Sequence, residues 1–402
     1  MTRISFLFGC LGILFGCTPA PQGAATVPGI NDSTIVLGAW APLSGPAALW
    51  GNLTKAMDAY FHHVNESGGV HGRKIKFIYK DDQYNPSRTV AIVRQLDVEE
   101  EVFAFIGGIG TAPGRAVMDY IIDRQIPWVS PCSGATYWAY PPRKNIFATF
   151  PLIYDEAHIQ IEYVLHTLKK QRIGIIYQND DFGKSALLSA SEALKGAGLD
   201  WQVALPLNRG ENDLGPLTAR MKEAKVEVVL IWTMPGAAAS LLKQAELLRF
   251  SPDWIACSAL SDMRRMYELT EGAWEGVTFG YYGKMATSGD PVMEQYKQAL
   301  AAYHPQVSWG GFAASGFMFA EPLVEGLRKA GKDLTRESFI QAMESLKGYQ
   351  GIGPAFTFGP GQRQGHRSLF LVRCQDATRY EQLTDFLDSQ ADIDHLLELK
   401  KD

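Results

Sequence analysis

The chain has 402 residues, of which 20 % are charged and 46 % are apolar, an ordinary composition for a folded globular protein and enough length for two domains. The formal net charge of -5 and the lack of a Lys/Arg cluster argue against nucleic acid as a partner. Beyond the N-terminus no apolar stretch has the length of a membrane span, so we expect a soluble body.

The N-terminus has the pattern of an export signal. Arg3 precedes an apolar run of signal-peptide length, which ends in Leu-Phe-Gly-Cys at residues 14–17. This ending resembles a bacterial lipobox, although Phe15 stands where a small residue is usual. We therefore expect residues 1–17 to be a signal peptide with lipobox Cys17, residues 18–33 to be a flexible tether, and the protein to be a lipoprotein in the periplasm. The alternative is simple cleavage further on and a free periplasmic protein.

The first elements predict a βαβ unit. Thr34–Trp40 is an apolar run that ends in a loop containing Ser44. A stretch with helical periodicity follows, and a second apolar run, Lys74–Tyr79, comes after a group of glycines. Because the two strands are parallel, the loop after the first one opens at the carboxyl edge of the sheet, where open α/β folds bind ligands.

The alternation continues to the end of the chain. Strands are predicted at 103–106, 126–130, 172–177, 201–205, 226–232, 254–257, 276–282, 355–358 and 368–374. Helices are predicted at 112–124, 154–169, 184–197, 214–224, 235–249, 291–303, 309–330 and 335–347. Strands that alternate with helices indicate parallel sheets covered on both faces, and two such sheets indicate a two-lobed α/β protein.

Several motifs carry a resemblance in their order along the chain. SGP…W-G, N-x-x-GGV-x-GRKI, DD-x-Y-x-P, FIGG-x-GT, P-x-VSP-x-SGA and Y-QNDDFG are similar to the type I periplasmic binding proteins, and within them to the leucine/isoleucine/valine-binding family that feeds ABC importers. The last two motifs also resemble the branch that takes up aromatic acids.

The resemblance implies two Rossmann-like, doubly wound lobes joined by three crossovers that close on a solute. Lobe 1 would comprise 34–150 plus 283–353, lobe 2 would comprise 151–280 plus 356–380, and 381–402 would be a polar C-terminal tail. The implied partners are a small-molecule solute and an ABC permease and ATPase complex, the protein itself being a monomer without a cofactor.

The loops after the lobe 1 strands contain the first candidate site residues. Thr111 stands where a strand passes into a helix, so its hydroxyl is expected to cap that helix, and the backbone N–H groups of Thr111 and Ala112 form a seat for a carboxylate. By resemblance, Cys132, Ser133 and Gly134 form the loop that receives an amino group, although Gly134 replaces the usual hydroxyl residue. Ser133 either substitutes for that hydroxyl or only satisfies the turn.

An aromatic and apolar wall is expected around the solute. By resemblance, Trp50 packs over the ligand from lobe 1 and Phe182 closes the lid from lobe 2. Trp232 and Met234 end a lobe 2 strand at the cleft side. Asp180 and Asp181 are expected to cap the helix that follows them.

One departure from the family bears on the ligand. Amino-acid binders of this family usually place a carboxylate where this chain has Cys-Ser-Ala-Leu at 257–260, and Asp262 is the nearest acid. An ammonium group buried without a partner is costly, so a carboxylate or amide with an apolar or aromatic body fits this pocket better than a zwitterion, unless Asp262 serves.

Other functions have little support. No G-x-S-x-G, H-E-x-x-H or P-loop pattern is present, so we expect neither an enzyme nor a metal site. A sensory receptor of the same fold, coupled to a signalling partner, stays open as the alternative to transport. Without the leader three cysteines remain, Cys132, Cys257 and Cys374, which allow one disulfide or none, and at least two are expected to be buried.

Overall fold

The structure is a computed structural model that describes residues 27–208, 210, 211, 213–389 and 393. The strands are β1 Thr34–Ala41, β2 Lys74–Asp81, β3 Ala104–Ile106, β4 Trp128–Val129, β5 Ile146–Phe147, β6 Ile173–Gln178, β7 Val203–Leu207, β8 Val228–Trp232, β9 Asp253–Ala256, β10 Thr278–Tyr281, β11 Ser368–Cys374, β12 Tyr380–Gln382 and β13 Leu387–Asp388. The helices are α1 Gly51–Glu66, α2 Pro86–Val98, α3 Thr111–Asp123, α4 Ile153–Glu162, α5 Asp181–Gly196, α6 Gly215–Glu223, α7 Pro235–Leu247, α8 Met263–Leu269, α9 Pro291–Tyr303, α10 Gly311–Ala330 and α11 Arg336–Glu344. Six residues in π-helical conformation, Tyr163–Leu168, extend α4.

The first sheet is parallel and has the strand order β2-β1-β3-β4-β5. Helices α1, α9, α10 and α11 pack together on one side of it, and α2 packs against α3 on the other side. We call this sheet with these helices the first unit. Its core is buried on both faces, as expected for strands enclosed by helices.

The second sheet is mixed and has the order β12-β11-β10-β9-β8-β6-β7, with β13 paired to β11. Strands β6 to β10 are parallel, whereas β11 runs antiparallel to β10. We call this sheet with α4 to α8 the second unit. The expectation of wholly parallel sheets is therefore wrong here. A parallel strand needs a crossover that covers its own sheet, but α9 to α11, which separate β10 from β11, belong to the first unit.

Two features near the C-terminus differ from the sequence prediction. Residues 355–358 form no strand. Phe356 forms only an isolated bridge with Tyr349, in which the two backbones exchange hydrogen bonds across the loop between them. The expected polar tail from residue 381 is also wrong as far as Asp388, since β12 and β13 add to the second sheet. The lobe boundaries derived from the resemblance remain a prediction.

The tether prediction is wrong for residues 27–33. The Gly29 carbonyl accepts a 2.8 Å hydrogen bond from Val36 N–H, and Arg73 Nε donates to the Asn31 carbonyl at 2.7 Å, so this segment packs on the first unit. The predicted signal peptide at residues 1–17, with Cys17, and residues 18–26 of the predicted tether lie outside the described residues. None of the helices in the described ranges is long and apolar enough to cross a membrane.

The three cysteines Cys132, Cys257 and Cys374 are free and buried, so the expectation of buried thiols is confirmed and no disulfide joins them. Helices α2 and α8 were not predicted. For α2 the signal was present, because Asn85 accepts hydrogen bonds from the backbone N–H groups of Ser87 and Arg88 and Pro86 occupies the first helical position.

Candidate functional site

A cavity lies where the carboxyl ends of strands from both units meet. Its walls are the loops after β1 to β6, β9 and β10, together with one side of α1 and α10. It contains about 530 Å³ of space between atoms, of which about 50 Å³ admits the centre of a water molecule. The lining residues are Trp50, Leu53, Tyr84, Ile109, Gly110, Thr111, Cys132, Ser133, Gly134, Phe150, Phe182, Ser258, Ala259, Ser261, Tyr282, Phe312 and Ser315.

This position is the one that the parallel topology favours for a ligand. A wider groove lies along α4 and α5 on the outside of the second unit, away from the strand ends. The cavity between the units combines apolar walls with a few convergent polar groups, which is typical of a small-molecule site.

Of the candidate residues, six line the cavity: Trp50, Thr111, Cys132, Ser133, Gly134 and Phe182. Ala112, Trp232 and Met234 do not. Trp232 lies one layer behind the wall because the Phe182 ring covers it, with 5.7 Å between ring centroids. Met234 lines a neighbouring cavity, at the side where α7 begins.

A hydroxyl pair forms one polar end of the cavity. Thr111 Oγ1 and Ser133 Oγ are 2.7 Å apart and buried, and Ser133 Oγ also accepts from Ala135 N–H at 3.3 Å. The expectation that Thr111 caps α3 is wrong. Gly110 is the N-cap residue and no side chain caps this helix, because the Thr111 hydroxyl is directed to Ser133 instead.

The N-terminus of α3 opens next to this pair. The first N–H groups of a helix have no partner within the helix and carry its positive dipole end, so they suit a carboxylate or a carbonyl oxygen. Gly110 has φ of 109°, and a Cβ there would come within 2.5 Å of the Tyr84 ring. Glycine at this position therefore permits both the turn into α3 and the close contact with Tyr84.

The neighbouring loop explains why Gly134 replaces a hydroxyl residue. A Cβ on Gly134 would lie 2.0 Å from the Pro151 carbonyl oxygen, and the Gly134 carbonyl accepts from Ile153 N–H at 2.8 Å. The Cys132 carbonyl accepts from Gly110 N–H at 3.3 Å. Two of the three carbonyls of this loop are thus already bonded to the protein, which weakens the loop as a seat for an ammonium group.

A group of aromatic rings forms another part of the cavity wall and joins the two units. Trp50 Nε1 donates a 2.8 Å hydrogen bond to the Ala259 carbonyl, and its ring contacts Phe182 edge-on at 6.3 Å between centroids. Tyr84 packs on the other side of Trp50 at 5.6 Å. Trp50 belongs to the first unit, whereas Ala259 and Phe182 belong to the second, so these contacts hold the two units together.

The Asp262 side chain is not available to a ligand in the cavity. Its carboxylate accepts from Phe312 N–H at 2.9 Å at the start of α10 and from Arg265 N–H at 3.1 Å in α8. A Cβ on Gly310 would lie 2.5 Å from this carboxylate. Because Asp262 binds two helix N-termini and does not line the cavity, the alternative in which it pairs with an ammonium group loses its support. Asp180 caps α5 as predicted, by accepting from Phe182 and Gly183 N–H.

An acid that the sequence did not reveal lies directly behind the wall. Glu156, in the first turn of α4, is buried and accepts from the backbone N–H of Ser258 at 2.5 Å and from its hydroxyl at 2.6 Å. Burial raises the pKa of Glu156 to about 7, although the bonds from Ser258 oppose this shift. Glu156 and Ser258 are 102 positions apart, and no sequence pattern predicts a contact between residues so far apart.

The described residues contain no group of three or more His, Cys, Asp or Glu side chains arranged to hold a metal ion. The lining set of the cavity likewise contains no charged side chain. Its chemistry is therefore that of hydrogen bonding and apolar contact.

Comparison with known proteins identifies the family. A family model described as periplasmic binding protein matches residues 34–379. The chain belongs to the periplasmic binding protein family. This binding protein is 24 % identical over 319 residues to the Leu/Ile/Val-binding protein BraC3 of Rhizobium johnstonii, a match that covers 79 % of this chain and 85 % of that one.

Solved structures show the same fold. A fatty acid ABC transporter substrate-binding protein from Thermomonospora curvata superposes with a TM-score of 0.82 at 24 % identity, covering 92 % of this chain and 96 % of that chain. A branched chain amino acid ABC transporter from Thermus thermophilus with bound valine gives 0.82 at 21 % identity, covering 90 % and 98 %. The type I periplasmic binding fold and the resemblance to the Leu/Ile/Val-binding family are thus confirmed, and the family implies a periplasmic location.

Proposed function

We propose that this binding protein is the solute receptor of an ABC importer, and that it closes on a small amphipathic solute with a carboxylate or amide end and an apolar or aromatic body. The observation that carries this proposal is the composition of the cavity wall. Hydroxyl and backbone groups meet at the start of α3, aromatic rings form much of the remaining wall, and none of the lining residues is charged.

The missing carboxylate argues against a free amino acid. Removing an ion from water costs several kcal/mol, and only a well-placed partner repays this cost. Asp262 is occupied by two helix N-termini, and Glu156 is separated from the cavity by Ser258. A carboxylate end, by contrast, would face the start of α3, where Thr111 lines the cavity, and the Thr111–Ser133 hydroxyl pair.

The relatives agree with a small amphipathic solute and leave its class open. Relatives are named for leucine, isoleucine and valine, one structure of this fold contains valine, and another is named for fatty acids. Both amino acids and carboxylic acids without an amino group therefore belong among the probes.

Matched probes test the proposal. Thermal shift and calorimetric titration would compare leucine with 4-methylpentanoate, and phenylalanine with 3-phenylpropanoate and 3-phenylpropanamide. Within each set only the α-ammonium or the polar end changes. We expect the compounds without an ammonium group to bind at least about tenfold more tightly, which corresponds to about 1.4 kcal/mol. Micromolar binding of leucine or phenylalanine, with none by the compounds that lack an ammonium group, would refute the proposed solute class.

Export and anchoring form a second part of the proposal. The apolar run before Cys17 supports a lipoprotein whose Cys17 carries the lipid. Mass spectrometry of the mature N-terminus would show a diacylglyceryl cysteine if this is correct and an unmodified residue if it is not. Loss of uptake of the bound solute on deletion of the gene would distinguish transport from sensing.

A further inference from the structure

In the hydrogen bond between the Glu156 and Ser258 side chains, either side chain can be the donor. Glu156 Oε1 accepts from Ser258 N–H at 2.5 Å and from Gln160 Nε2 at 3.3 Å. Among the described residues Oε2 has a single hydrogen-bond partner, the Ser258 hydroxyl, at 2.6 Å. Ser258 itself lines the cavity.

The orientation of Gln160 determines which carboxyl oxygen can hold a proton. The indole N–H of Trp232 can only donate, and it lies 3.1 Å from Gln160 Oε1. Gln160 Nε2 therefore faces the Ala256 carbonyl at 3.1 Å and Glu156 Oε1. Because Oε1 already receives two N–H groups, a proton on Glu156 belongs on Oε2, between the carboxyl group and Ser258.

The hydroxyl of Ser258 has one hydrogen, so this bond has two possible directions. When Glu156 is ionised, the Ser258 hydroxyl must donate its hydrogen to Oε2, so it can only accept a hydrogen bond from a group in the cavity. When Glu156 is protonated, Oε2–H donates to Ser258, whose own hydrogen becomes free to donate to a solute. The distance of 2.6 Å suits both arrangements.

We propose that Glu156 is a specificity-determining positioning residue, which sets whether Ser258 accepts a hydrogen bond from the solute or donates one to it. The proposal rests on the proposed function, since it assumes that the solute occupies this cavity. The ionised form favours a solute with an N–H or ammonium group beside Ser258, and the protonated form favours a carbonyl oxygen there.

Glu156 is a group beside Ser258 whose pKa lies near neutral pH. Burial raises the pKa of Glu156 to about 7. Cys257 and Tyr282, from the neighbouring β9 and β10 segments, stay neutral because burial raises the pKa of each well above its usual value. Burial lowers the pKa of His366, which precedes β11, to about 4.

Two further titratable groups, Asp155 and His158, lie on α4 beside Glu156. Asp155 is held by Arg367 at 2.6 Å and stays paired. Burial lowers the pKa of His158, which lies 3.9 Å from Glu192 on α5. A change of hydrogen-bond direction near neutral pH is therefore assigned to Glu156.

A pair of probes isolates the direction of this bond. Phenylalanine offers a donor at its α-carbon and phenylpyruvate offers an acceptor there, while the carboxylate and the ring are the same. Neither probe changes its charge between about pH 5.5 and 8. We would measure both dissociation constants by calorimetry over this range, and we expect the preference for phenylpyruvate over phenylalanine to fall about tenfold as the pH rises, the size of one hydrogen bond reversed.

The Glu156→Gln variant reproduces the protonated form, because its carbonyl accepts from Ser258 N–H and its amide donates to the hydroxyl. We expect it to keep the phenylpyruvate preference at every pH. Glu321→Gln is the matched control: Glu321 is also buried with a pKa raised to about 7, but it binds Tyr296 and Ile352 in the first unit, away from the cavity wall. A pH-independent ratio in the wild-type protein, or an unchanged pH dependence in Glu156→Gln, would overturn the proposal.

A second measurement needs no solute. Infrared difference spectra between low and high pH should contain the carbonyl-stretch band of protonated Glu156. This band should be absent in Glu156→Gln. It should be shifted in Ser258→Ala, which removes the hydroxyl but leaves Glu156. An unshifted band in Ser258→Ala would overturn the proposal even if Glu156→Gln does not fold. If neither probe binds, the proposed solute class fails, and the infrared result alone decides the Glu156–Ser258 assignment.

Discussion

The hydrogen bond from Trp50 to Ala259 can be removed by a substitution that keeps an aromatic ring in the cavity wall. Trp50→Phe keeps an aromatic ring between Tyr84 and Phe182 but deletes Nε1, which donates to the Ala259 carbonyl at 2.8 Å. The bond is partly buried and joins the two units, so its loss weakens the contact between them and leaves a carbonyl without its donor.

The magnitude follows from the kind of bond. A hydrogen bond of this type contributes about 0.5–1.5 kcal/mol, and an acceptor left unsatisfied in a buried place costs about 1–3 kcal/mol. Because Ala259 is only partly buried, we expect about 1–2 kcal/mol, which is about a five- to thirtyfold weaker affinity for a solute bound in the closed form.

Calorimetric titration of 3-phenylpropanoate into the wild-type protein and Trp50→Phe would measure this loss. Trp309→Phe is the control, because Trp309 Nε1 donates to the Ala286 carbonyl at the same 2.8 Å but does not line the cavity. An affinity in Trp50→Phe within twofold of wild type, or an equal loss in Trp309→Phe, would refute the role of this bond in holding the units together.

Three further predictions follow from the site. Gly134→Ala should destabilise the protein by several kcal/mol in chemical denaturation because its Cβ would lie 2.0 Å from the Pro151 carbonyl, whereas Gly196→Ala, where the Cβ meets open space at the end of α5, should cost nothing. Thr111→Val removes one hydroxyl of the Thr111–Ser133 pair and should weaken binding of 3-phenylpropanoate by at least about 1 kcal/mol in titration, with an unchanged melting temperature of the unliganded protein arguing against general damage. Burial raises the pKa of Glu321 from 4.5 to about 7, so its stabilising contribution is complete below pH 4.5 and is lost as the pH rises through 7. Between about pH 5 and pH 8 the wild-type protein should therefore lose about 2.5 kcal/mol more stability than Glu321→Gln in urea denaturation, and equal pH dependence of the two proteins would contradict this.

Much of the site's position was predictable, because it depends on the order of strands and helices. The loops that contain Trp50, Thr111, Ser133 and Phe182 each follow a strand, and parallel strands bring their carboxyl ends to one edge. The roles of individual side chains were less accessible. Thr111 has the sequence context of a cap, yet its hydroxyl binds Ser133, because a partner 22 residues away competes with the local backbone.

By itself the sequence determined the alternation of strands and helices, the family and the strand-end loops that form the cavity. These depend on hydrophobic periodicity, turn residues and motifs, all of which are local. Only the tertiary structure decided that Asp262 binds the N-termini of α8 and α10 and that the Pro151 carbonyl leaves room only for glycine at position 134. It also decided that β11 runs antiparallel and that Glu156 lies behind Ser258. Each of these depends on a contact between distant parts of the chain, and no local pattern encodes which distant backbone or side chain arrives there.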